Sequence, residues 1–162
     1  MPRQGVAGRD ETPAERADRN LNELLQELRV ALPGVQVLFA FLLTVPFSQG
    51  FDRLTDFQRE LYFGLLLATA LTTALLIAPT AYHRMLFRQR DKEYLVRIAN
   101  RLTLAGLGVL AISLTAAVLL ISDLLFKSTM TIVSTTVTGI VLLTLWGLLP
   151  LYRRRGLSAA ER

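Results

Sequence analysis

The side chains here that could do chemistry are few, and they cluster around uncharged stretches. Gln36 lies inside one such stretch, just after Pro33 and Gly34 in LQELRVALPGVQVL (25–38). A proline within a helix leaves the carbonyl four residues back, that of Arg29, without its donor and bends the axis. Gln36 falls one turn on, so its amide (or a bound water) is placed to satisfy the freed backbone. A carboxamide beside opened backbone, with Glu27 nearby, is a candidate ion or proton site. Asp52 and Asp56, in GFDRLTDFQRELY (50–62), would form its cation-attracting outer mouth. The same connector, with Arg53, Arg59 and Glu60, also reads as a solvated cap whose Phe51 and Phe57 dip into an interface. Ser128, Thr131, Thr135 and Thr138 recur at helical spacing and could line a pore. Threonines bond their own i−4 carbonyls at little cost, so helix-to-helix glue is the simpler expectation.

Other chemistry is missing from the sequence. His83 is the one histidine and there is no cysteine, so a metal centre is not expected; pH sensing is its functional alternative. No phosphate-binding loop, HExxH or GxSxG motif appears, nor a Ser/His/Asp set that would converge. A non-enzyme without cofactor, and without a nucleic-acid partner, is expected. Ion- and proton-coupled carriers place ionisable groups within the membrane despite a cost of roughly 2.5–3.5 kcal/mol or more. None lies in the middle of an apolar stretch here.

The elements that must position these residues are membrane spans. Windows 30–51, 61–83, 102–122 and 128–152 carry no Asp, Glu, Lys or Arg, and each reaches the ~20 residues that cross a hydrocarbon core as a helix. Mean hydropathy is +0.41. Spans are expected over about 30–48, 61–81, 102–122 and 129–150, within a membrane domain of 30–152. If Pro33-Gly34 ended an element, the remainder to Ser48 would rise only about 21 Å against a core of ~30 Å. The first span must therefore pass through Pro33 as a kinked helix.

Charge orients the chain. The segment 82–101 holds five arginines and one lysine, and the tail 153–162 begins Arg153, Arg154, Arg155. The connectors 49–60 and 123–127 hold only Arg53, Arg59 and Lys127. Lys/Arg bias places 82–101 and both termini in the cytoplasm. Arg84, Arg88, Arg90 and Arg97 are candidate contacts for anionic phospholipid or a protein partner.

Ahead of the first span, Thr12, Pro13 and Glu15 form a capping box, leaving 1–11 as a disordered tail and starting a cytoplasmic amphipathic helix over 12–29. Ala14, Ala17, Leu21, Leu24, Leu28 and Ala31 follow at spacings of three and four. Leu21, Leu24 and Leu28 would pack on the membrane surface or the 82–101 loop, or form the seam of a homodimer. Small residues offer packing faces: Gly64-Ala68 and Ala70-Ala74-Ala78 with Thr69, Thr72 and Thr73 in the second span, and Gly108-Ala111-Thr115 and Ala105-Ser113-Ala117 in the third.

The stretch LNELLQELRVALPGVQVLFAFLLTVPF (21–47), followed by FDRLTDFQRELY and YHRMLFR (82–88), resembles an actinobacterial family of small four-helix membrane proteins known as a domain of unknown function, some members of which carry the name sodium/proton antiporter. The resemblance covers about 18–155 and implies the same fold and a bacterial inner-membrane location; it carries over no catalytic residues. The embedded carboxylate that an antiporter is expected to use is absent from these spans. The expectation is an all-α polytopic protein, four transmembrane helices in a compact bundle. Its expected role is a small interaction subunit docking lipid, a second copy or another protein; the alternative is an oligomeric channel or cation/proton transporter.

Overall fold

The computed structural model describes residues 12–86, 92–126 and 128–153. Among them every regular element is helical: α1 Pro13–Thr44, α2 Asp56–Leu86, α3 Lys92–Leu125 and α4 Thr129–Leu143. A π-helical turn, Thr144–Leu148, carries α4 on toward Arg153. Short 3-10 turns at Val45–Phe47 and Phe51–Arg53 join α1 to α2. All four helices are long and apolar enough to cross a membrane.

The capping box is formed as expected. Glu15 N–H donates to Thr12 Oγ1 at 3.3 Å, and Thr12 N–H donates to Glu15 Oε2 at 2.9 Å. From there α1 continues through Pro33 without a break. Pro33→Ala should therefore leave the span in place, returning a donor to the Arg29 carbonyl and raising stability by up to about 3 kcal/mol. Labelling of a Ser48→Cys variant should stay on one side of the membrane; a change of side would refute the continuous helix.

The segment expected as a basic loop over 82–101 is largely helix, with α2 running to Leu86 and α3 starting at Lys92. Loss of apolarity marks a membrane boundary, whereas Arg, Lys and Glu continue a helix readily. Residues 87–91, with Arg88 and Arg90, and the tails 1–11 and 154–162 lie outside the described residues.

The helices alternate in direction. Leu42 packs with Tyr62, Leu65 and Leu120 at one end, and Leu28 and Val35 with Leu76 and Leu110 further along. The first is called the hairpin end; the other, where α1 begins, is the basic end. The α2–α3 interface is the core. Buried Leu65, Thr69, Thr72, Leu76 and Pro79 on α2 alternate at spacings of four and three, as do Ala99, Thr103, Gly106, Leu110 and Ser113 on α3. Such a period lets two helices stay in register over several turns. Thr69, Thr72 and Ser113 bond to the carbonyls of Leu65, Ala68 and Val109, so their hydroxyls enter the seam already satisfied. At Gly106 the backbones come close enough that a Cβ would stand 2.7 Å from Leu76 Cδ2 and 3.3 Å from Leu75 Cβ. Among the described residues, helix α1 packs on both α2 and α3, while α4 touches α3 and no other long helix.

Candidate functional site

The apolar stripe read as ending near Ala31 runs the length of α1. Buried Ala17, Leu21, Leu28, Val35 and Leu42 turn it toward α2 and α3. Leu21, with Leu24 and Leu25, packs on Leu95, Val96 and Ala99, the first turns of α3. Of the candidate contacts, Leu21 and Leu28 are buried and Leu24 half-buried, so the chain itself covers this stripe. Arg84 and Arg97 are exposed near the basic end.

The polar candidates on α1 face the other way. Glu27, Pro33, Gly34 and Gln36 are all exposed, and nothing lies within 4 Å of a Cβ built on Gly34. The Gln36 amide makes no hydrogen bond among the described residues. Its depth follows from packing. The Tyr62 hydroxyl donates to the Leu42 carbonyl at 2.7 Å, bringing those residues together. Gln36 is six residues further toward the basic end, about 9 Å along the helix. Its neighbour Val35 packs with Leu76 and Leu110, both well inside uncharged spans. An outward-facing carboxamide thus sits inside the span, about two turns past Arg29.

Asp52 and Asp56 are exposed at the hairpin end, and the Asp52 carbonyl accepts from the Arg59 guanidinium at 3.1 Å. No group of three potential metal ligands occurs among the described residues. The structured polar joint here involves other residues. Gln58, 2% exposed, accepts the Thr55 N–H through Oε1 at 3.0 Å and donates through Nε2 to Asp123 Oδ2 at 2.8 Å. Thr55-x-x-Gln58 is a capping-box pattern readable in the sequence; its tie to Asp123, sixty-five residues away, is not. Phe51 stacks edge-on against Tyr62, centroids 5.6 Å apart, over the same corner.

The hydroxyls of α4 divide. Ser128 caps the helix by accepting the Met130 N–H, Thr131 donates to the Ser122 carbonyl at 3.1 Å, and Thr138 donates to the Ser134 carbonyl. Thr135 Oγ1 is buried without a partner. The Oγ atoms of Ser122 and Ser134 are 2.8 Å apart. The contacts of Thr131 and Ser134 with Ser122 join α4 to α3. Gly108, Ala111 and Thr115, with Gly139, Trp146 and Gly147, line an apolar groove of about 690 Å3 between α3 and α4. His83 is half-buried at the end of α2.

Four apolar helices, with large side chains such as Val30, Phe41, Ile112, Ile132 and Leu143 exposed on their outer faces, define a polytopic membrane protein. Residues 10–150 match the model of the Family of unknown function (DUF6328), and the chain belongs to that family. No curated protein and no solved structure matches it.

Proposed function

We propose that this protein is a non-enzymatic interaction subunit of a bacterial cytoplasmic membrane, with both termini and the α2–α3 connection in the cytoplasm. One observation carries the proposal: Gln36, the polar group of α1 within its uncharged stretch, faces outward, while the α2–α3 seam inside the spans is packed by apolar side chains and by the hydroxyls of Thr69, Thr72 and Ser113, each bonded to a carbonyl of its own helix. A transport path needs polar groups facing one another along a cavity or pore. An interaction protein needs them on the surface that its partner covers. Orientation follows from the Lys/Arg bias, with exposed Arg84, Arg97, Arg101 and Arg153 at the cytoplasmic end. Each arginine near an anionic headgroup layer contributes about 1 kcal/mol to anchoring.

The rival function is cation or proton transport. Purified protein in liposomes carrying a pH-sensitive dye, under imposed sodium and potassium gradients, is expected to show no flux above protein-free vesicles. A known exchanger in the same lipid serves as the positive control. Flux that disappears in Gln36→Leu would overturn the proposal.

A further inference from the structure

Helix α1 and the 3-10 turn that follows it carry a second periodic series beside the buried stripe. Positions 22, 26, 29, 33, 36, 40, 43 and 47 alternate at spacings of four and three, and all are exposed. On a regular helix this flank lies about 110° round from Leu28 and Val35. It begins with the carboxamides of Asn22 and Gln26, passes Arg29, Pro33 and Gln36, and ends in Ala40, Leu43 and Phe47. The repeat is that of a helix pair, and none of these residues enters the chain's own packed clusters.

Hydrocarbon offers the Gln36 amide neither donor nor acceptor, and an unpaired polar group there costs several kcal/mol. We propose that a second copy of this chain covers the flank, pairing α1 with α1 so that the two Gln36 amides hydrogen-bond to each other. This rests on the interaction function proposed above and names the partner.

Three features select a second copy. Both copies insert with the same orientation, so a two-fold axis along the membrane normal sets each residue of the flank against its own counterpart. A carboxamide both donates and accepts and is therefore its own complement, whereas a carboxylate or guanidinium would repel its twin. A buried carboxamide at one seam position also fixes register and favours a dimer. Finally, the Arg29 carbonyl freed by Pro33 opens on this flank and adds an acceptor. Arg29 itself is no obstacle. Helical side chains lean toward the N-terminus, here the headgroup side, and its long stem carries the charge out of the seam.

The absence of cysteine makes the test clean. Single-cysteine variants Ala40→Cys, on the flank, and Leu67→Cys, on an exposed face of α2, are oxidised in proteoliposomes at high lipid excess. Mass is measured separately in nanodiscs. The expected result is a two-copy mass and rapid disulfide formation by Ala40→Cys but not by Leu67→Cys. Gln36→Leu should weaken association about tenfold, and Gln36→Asn should retain most of it. Because position 36 is exposed, unchanged helicity should confirm that both variants fold. A single-copy mass, with Ala40→Cys crosslinking no faster than Leu67→Cys, overturns the dimer. Combined with no liposome flux, that result leaves the interaction function standing with a different partner. Combined with flux that Gln36→Leu abolishes, it removes both proposals.

Discussion

Gly106→Val is expected to be the most damaging single substitution in the membrane core. A Cβ at this position would lie 2.7 Å from Leu76 Cδ2, 3.1 Å from Leu76 Cγ and 3.3 Å from Leu75 Cβ. A flexible side-chain end can often turn aside, but Leu76 is fully buried and packs with Leu28, Val35 and Leu110. The two helices must then separate, loosening the α2–α3 seam over several turns. Overpacking a close interface costs about 1–3 kcal/mol; Gly106→Ala should fall in that range and the branched valine at or above its top. Unfolding in mixed micelles, followed by helicity, gives the value. Gly108→Ala is the control, since nothing lies within 4 Å of its added methyl group. A Gly106→Ala/Leu76→Ala double variant should cost less than the sum of its parts, because shortening Leu76 removes the clash. If Gly106→Ala and Gly108→Ala prove equally mild, the close approach of α2 and α3 is wrong.

The contrast between these two glycines shows where sequence reading stops. Spans, and the start of α1 at its Thr12 capping box, follow from uncharged length and local chemistry. Which face of a span turns inward does not. In lipid the outer surface is as apolar as the core, so hydropathy loses the inside-outside contrast that it has in water. Gly108 stood out in a small-residue row with Ala111 and Thr115, yet that row lines the groove beside α4. Gly106, two residues away and about 200° round the helix, makes the close contact with α2.

The same ambiguity acted on α1. Its 3-4 apolar pattern was legible from Ala14 to Ala31 because charged residues flank it there. Beyond Val30 nearly every residue is apolar, and the continuation through Val35 and Leu42 became visible only in the packing. Gln36 was identifiable as the polar residue of the span. Its placement beside Pro33 gave a reason to turn it toward freed backbone, and the structure leaves it exposed. Side-chain identity thus located the polar group, while its direction had to come from the fold.

Gln58→Leu should be the costliest change at the hairpin end. One side chain closes the first turn of α2 by accepting from Thr55 N–H, and ties α2 to the end of α3 by donating to Asp123. Leucine keeps most of the volume and removes both bonds. A hydrogen bond to a charged group contributes about 1.5–3 kcal/mol, and loss of a helix cap typically costs about 1 kcal/mol. A combined loss of roughly 2–4 kcal/mol is expected from those two ranges. Asp123→Asn should cost much less, because its amide oxygen still accepts. Thr55→Ala removes only the other half of the capping box, the bond from Gln58 N–H to Thr55 Oγ1 at 3.3 Å, and leaves both side-chain bonds of Gln58 intact. The decisive quantity is the coupling between positions 58 and 123 in a double-mutant cycle. A coupling near zero would mean that Gln58 matters only as a cap, and that α2 and α3 are held together at the hairpin end by the apolar packing of Tyr62, Leu65 and Leu120. A coupling above about 1 kcal/mol would identify the bond as a clamp between helices. It would also explain how Asp123, a carboxylate abutting an apolar span, is accommodated at the membrane boundary.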